Sequence, residues 1–125
     1  MEFDISSDQK MMQESLDRTL LRSCPLERVR SARDGYAPEV LEAVAGLGVT
    51  GLLIPEEFGG LGLTLLDAAL ASEVFGRHVA PVPFVASSVM APLAILGSGS
   101  PSQKKSLLPS LASGSLVAEI GRAHV

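Results

Sequence analysis

Tryptophan is absent from this chain, cysteine occurs once, and four Phe and one Tyr supply all the aromatic area. The core must therefore be aliphatic, built from Leu, Val, Ile and Ala. The lone Cys24 excludes an internal disulfide. With His78 and His124 as the two imidazoles, it also leaves no spacing for a zinc site. Basic residues are in the minority, ten against fourteen acidic ones, for a net charge of −4. Non-specific affinity for nucleic acid comes mainly from Lys and Arg, so no nucleic-acid partner is expected. The opening MEFDISSDQK carries Glu2 and Asp4 and lacks a basic stretch followed by an apolar run. No secretory leader is read there, and a cytoplasmic location is the expectation.

Long apolar runs are scarce too. The longest uncharged stretch extends from Val79 to Gln103, but Pro81, Pro83, Pro92 and Pro101 interrupt it, as do several serines. It reads as a buried helix with flanking loops, and no membrane span is expected. What remains is 125 residues, 46% hydrophobic and 19% charged, which fits one globular domain. Such a chain can bury roughly two thirds of its unfolded surface. Ala and Leu dominate, so the composition favours helices.

The spacing supports that reading. Ser6 and Gln9 have the separation of a capping box, and Met12, Leu16 and Leu20 then form one apolar stripe up to Pro25. Leu26 to Tyr36 is charged and weakly periodic, a loop or short helix. Pro38 suits a first helical turn, Val40, Leu41, Val44 and Leu47 follow at helical spacing, and Gly48 is a natural stop. Thr64 can cap a third helix that buries Leu66, Ala69, Leu70, Val74 and Phe75 before Gly76. A fourth helix covers Phe84 to Leu96. Ser100, Pro101 and Gln103 together make the strongest helix start in the chain, opening a fifth helix that buries Leu107, Leu108 and Leu111. Pro109 should bend or shorten that helix, and Gly114 ends it. Ser115 to Ile120 (SLVAEI) reads as the beginning of a strand. The predicted fold is all-α, a bundle of about five helices with the start of a β-strand at the C-terminus.

Few residues suggest chemistry. Gly59-Gly60-Leu61-Gly62 could cradle a phosphate, but the spacing fits neither a dinucleotide fingerprint nor a P-loop. A tight turn is the preferred reading. Glu56 and Glu57 are adjacent, so their side chains diverge, whereas acid–base pairs must converge. Glu73 lies on the inner half of the third helix and reads as a buried structural carboxylate, with a functional base as the other possibility. His78 follows Arg77 in a Pro-flanked segment and reads as a surface or loop histidine. Lys104 and Lys105 look like a solvated helix face, though a cationic pair could meet an anionic ligand. No catalytic residue emerges.

The order LGVTGLLIPEEFGGLGL, from Leu47 to Leu63, is more informative than any single residue. With its flanks, YAPEVLEAVAGLGVTGLLIPEEFGGLGLTLLDAALASEVFGR resembles the N-terminal helical domain of acyl-CoA dehydrogenases. GSPSQKKSLLPSLASG is a second match, to the helix that leads into that family's β-domain. The order of elements resembles that domain from about Tyr36 to Glu119. The resemblance implies a flavoenzyme using FAD for α,β-desaturation of an acyl-CoA. Its partners would be the acyl-CoA substrate and an electron-transfer acceptor, and it would be a homo- or hetero-oligomer. The catalytic base and most FAD contacts belong to later domains, so no catalytic or cofactor-binding residue is carried onto this chain. In the family, helices of this domain line one side of the acyl pocket. Phe84, Val85, Ser88 and Val89 are the residues expected by position to do so here, although core packing alone would demand the same apolar residues.

Residues 1–114 are thus expected to be the helical domain and 115–119 the start of a middle β-domain. Ile120 to Val125 (IGRAHV) departs from the family and matches one reading frame of a common sequencing-library adapter. On that expectation His124 is not a natural residue, and the chain is an inactive fragment of a longer enzyme. Two further readings remain: a non-catalytic subunit of a heteromeric dehydrogenase, and a stand-alone helical interaction module.

Overall fold

The structure is a computed structural model that describes residues 3–33 and 35–121. The expectations for His124 and its neighbours from 122 to 125 fall outside the described residues. Among the described residues there are six α-helices: α1 (Ser7–Ser23), α2 (Leu26–Ser31), α3 (Pro38–Ala45), α4 (Leu65–Arg77), α5 (Ala91–Ser98) and α6 (Pro101–Ser113). Short 3-10 turns at Val49–Gly51 and Glu56–Phe58 lie between α3 and α4, and a π-helical stretch, Val85–Met90, runs directly into α5. No helix among the described residues is long and apolar enough to cross a membrane.

The helix starts follow the capping chemistry. Ser6 Oγ accepts the Gln9 N–H at 3.1 Å while Gln9 Oε1 accepts the Ser6 N–H at 2.8 Å. Ser100 and Gln103 repeat the arrangement at 3.1 and 2.8 Å. At α4 the Asp67 carboxylate accepts both the N–H and the hydroxyl of Thr64, at 2.9 and 2.6 Å. Each pair satisfies donors that a helix end would otherwise leave open.

Packing places a buried strap at the centre. Val49 to Ile54 is buried at every position. On one side Leu52 and Leu53 join Leu16, Leu20, Val40, Val44 and Val74 in the larger core. On the other, Ile54 packs with Ala91, Leu108, Leu111 and Ala112 in a smaller one. The Thr50 hydroxyl donates to the Ala112 carbonyl at 2.7 Å, capturing one of the last carbonyls of α6. Helices α1 and α4 run parallel, held by a polar ladder on one face of α1. Gln9 Nε2 donates to Asp67 Oδ1 (3.1 Å), Gln13 Nε2 to the Leu70 carbonyl (3.0 Å), and His78 Nε2 meets Asp17 Oδ1 (2.7 Å). An Arg28–Glu39 ion pair ties α2 to α3.

Several sequence expectations need correction. The strand at 115–119 does not form. A strand needs a neighbour to pair with, and among the described residues none is present. The segment instead docks by single bonds, Leu116 N–H to the Ser110 carbonyl (3.1 Å) and Ala118 N–H to Ser87 Oγ (3.1 Å). Leu66 and Ala69 are exposed and Leu70 only half-buried. Because Asp67 turns toward Gln9, the inner face of α4 is Ala68, Ala71, Val74 and Phe75. Glu73 is accordingly exposed, paired with Arg77 one turn on at 3.5 Å. Helix α3 stops at Ala45 and leaves Leu47 partly exposed. Leu107 is half-buried, while Leu108 and Leu111 are fully inside. Pro109 does not shorten α6, which continues to Ser113. Its missing N–H would have met the carbonyl of Lys105, an exposed residue.

Candidate functional site

The apolar helix after α4 borders an open groove of about 650 Å³, whose lining includes Val29, Phe75, Pro81, Val82, Phe84 and Val85. Phe84 is anchored, 5% exposed, with its ring centroid 4.7 Å from that of Phe75. Val85 is 52% exposed and offers apolar surface at the groove edge. Of the four residues expected to line an acyl pocket, Phe84 and Val85 share this groove. Ser88 is buried away from it, and Val89 packs half-buried against the larger core. The groove has almost no charge around it, so it suits an alkyl chain and offers no acid or base.

Local geometry here was not legible from periodicity. From Val85 to Met90 the backbone is π-helical, and the Ala91 N–H reaches back five residues to the Ala86 carbonyl. The next residue, Pro92, has no N–H to donate, and its ring would collide with the Ser88 carbonyl in a regular α register. A wide turn just before Pro92 avoids that collision. Pro92 inside a long apolar run was the available signal.

The glycine turn is a structural element. The N–H groups of Gly59, Gly60, Leu61, Gly62 and Leu63 donate to the carbonyls of Glu56, Pro55, Gly51, Ile54 and Leu52, at 2.9 to 3.1 Å. With all five amides committed, none is left to hold a phosphate or the pyrophosphate of a dinucleotide cofactor. Three of those carbonyls, Gly51, Leu52 and Ile54, belong to the buried strap. A side chain at residue 60 could not fit, since a Cβ there would lie 1.9 Å from the Ile54 carbonyl oxygen. The glycine turn therefore does not supply a phosphate site.

Glu56 and Glu57 project from the exposed 3-10 turn. Lys104 and Lys105 border a shallow groove of about 750 Å³ with Glu57, Phe58, Leu96 and Pro101, where Glu57 offsets part of their charge. His78 lies in the turn that caps α4 and is less exposed than expected, its side chain 13% exposed against Asp17. An orienting acid is present, but no hydroxyl or thiol is hydrogen-bonded to the ring among the described residues. Asp67 is held below the usual carboxylate range. Burial pushes it up, but hydrogen bonds from Thr64 and Gln9 outweigh burial. Burial raises the Cys24 thiol, against the opposing effect of the Arg28 charge. Among the described residues, no group of three His, Cys, Asp or Glu could hold a metal ion.

The family described as "Acyl-CoA dehydrogenase, N-terminal domain" matches residues 6–115. (2S)-methylsuccinyl-CoA dehydrogenase of Cereibacter sphaeroides is 42% identical over 87 residues, covering 68% of this chain and 16% of that protein. The structure of the Tcur3481–Tcur3483 steroid ACAD superposes with a TM-score of 0.79 at 30% identity, covering 88% of this chain and 31% of that one. A glutaryl-coenzyme A dehydrogenase in complex with glutaryl-CoA gives a TM-score of 0.83 at 25% identity, covering 94% and 31%. The chain thus spans a third or less of each of these relatives. Matching the family from α1 to the end of α6, this chain belongs to the acyl-CoA dehydrogenase family and carries its N-terminal domain.

Proposed function

We propose that this chain is the N-terminal helical domain of a longer, FAD-dependent acyl-CoA dehydrogenase. Such an enzyme removes an α-proton and a β-hydride from an acyl-CoA thioester, and FAD supplies the hydride acceptor. Residues 1–114 would form the helical domain, and 115–119 would lead into the next one. The part played here is passive: an apolar wall, Phe84 and Val85 at its groove and Ser88 and Val89 behind, holds the acyl chain and keeps water from it. The base, the flavin contacts and the contact with an electron acceptor lie in the rest of a cytoplasmic oligomer.

One observation carries this reading. The family match runs through the whole helical domain, yet the chain spans only 16% to 31% of the relatives compared. The glycine turn has no free amide for a phosphate, which agrees with a cofactor held elsewhere. Purified alone, the 125-residue chain is expected to be colourless and inactive. A bound-flavin absorbance spectrum would overturn that, and so would acyl-CoA turnover.

A second reading is that the chain belongs to a non-catalytic subunit of a heteromeric dehydrogenase. The C-terminal sequence of the longer protein decides between them by the presence or absence of a carboxylate base.

A further inference from the structure

We propose that Pro92, with Ser87, holds residues Val85–Met90 in their π register, and that this register sets which acyl chains the groove accepts. The inference rests on the reading of that groove as an acyl wall.

The register is bounded at both ends. Ser87 N–H donates to the Pro83 carbonyl, four residues back, at 2.9 Å, so the helix begins with α spacing. By Ala91 the spacing has widened to five, with its N–H on the Ala86 carbonyl. At Pro92 the donor is missing and the π series cannot extend. The Pro92 ring is fully buried, so it cannot swing aside to let the Ser88 carbonyl into an α position.

Ser87 secures the wide turn from the other side. Its Oγ accepts the Ala118 N–H at 3.1 Å, tying the turn to the segment that leaves α6. Ser87 and Ser88 are both buried, so the widened backbone is packed.

One extra residue in a turn rotates everything before it by about 100° relative to α5. Phe84 is fixed against Phe75 at 4.7 Å. Removing the extra residue must therefore change how Val85 and Ala86, both in the groove lining, sit relative to that anchor. A groove whose apolar edge moves by one helical position accepts a different length or branching of chain. Pro92 is a positioning residue in this scheme: it touches no substrate and acts through Val85.

The test uses the intact flavoprotein that carries this domain, unsubstituted and as Pro92→Ala. If that variant does not fold, Pro92→Val restores the N–H while keeping most of the ring volume. Crystal structures read the acceptor of the Ala91 amide. Initial rates on butyryl-, octanoyl- and dodecanoyl-CoA read the chain-length profile. The expected result is a move of the Ala91 bond from Ala86 to Ser87. The ratio of kcat/KM between the longest and shortest substrates should shift by about tenfold or more. An Ala91 bond that stays on Ala86 overturns the role of Pro92. A moved bond with an unchanged profile overturns the role of the register in specificity. If the unsubstituted flavoprotein neither turns over acyl-CoA nor changes its flavin absorbance on adding it, the acyl-wall reading itself fails. That result is distinct from either of the others.

Discussion

His78 Nε2 lies 2.7 Å from Asp17 Oδ1 and joins the end of α4 to the middle of α1. Arg77 approaches the same carboxylate oxygen at 3.7 Å, so one acid on α1 meets two side chains from the last turn of α4. With Gln13 and Gln9 one and two turns earlier, Asp17 completes the polar ladder that sets the register of two parallel helices.

This contact predicts an energetic coupling. Asp17→Asn and His78→Gln, made singly and together, should show an interaction energy of about 1 kcal/mol by urea denaturation. Strict additivity of the two single effects would show that the contact is incidental.

Asp67 predicts a pH dependence. Its folded pKa lies below its unfolded one, because hydrogen bonds from Thr64 and Gln9 outweigh the opposing effect of burial. A lowered carboxylate stabilises the fold above its unfolded pKa of about 4, and that contribution is lost as the pH falls through the folded value. Asp67→Asn should therefore cost about 1 kcal/mol at neutral pH. The gap from the unsubstituted chain should narrow below about pH 4. Denaturant midpoints at several pH values check both parts; a constant gap contradicts the assignment.

Adjacent glycines in the turn predict opposite outcomes. At Gly60 a Cβ would meet the Ile54 and Gly51 carbonyl oxygens at 1.9 and 2.6 Å, and both are backbone atoms that cannot step aside. Gly60→Ala should lose more than about 4 kcal/mol and with it the cooperative unfolding transition. At Gly59 there is open space, and only its φ of +88° resists a side chain. Gly59→Ala should cost about 1–2 kcal/mol. Thermal melts of the two variants would be decisive, and equal losses would mean the turn is not packed as described.

Cys24 predicts a masked thiol. It is buried, and burial raises its pKa. Alkylation at mildly alkaline pH should be slow in the native chain and fast in urea. Equal rates in the two conditions would place the thiol at the surface.

Much of the fold is legible in short patterns. Ser6–Gln9, Thr64–Asp67 and Ser100–Gln103 announce helix starts because capping involves residues three apart, and the structure carries all three. The four-residue stripe of α1 likewise predicts Leu16 and Leu20 as fully buried. Errors arise where a distant partner chooses. Leu66 and Asp67 both fit a buried stripe on α4, and Gln9, 58 residues away, turns Asp67 inward and Leu66 out. His78 is likewise drawn inward by Asp17, 61 residues away, while Glu73 stays exposed beside Arg77.

Taken by itself, the amino-acid sequence determined the helical class, the helix starts, the glycine turn and the family, because each depends on neighbours within a few residues. Only the tertiary structure decided which faces are buried, that 115–119 stays unpaired, and that the apolar helix widens before Pro92. Those outcomes depend on which surfaces meet, and burial and hydrogen bonding across elements cannot be read from local spacing.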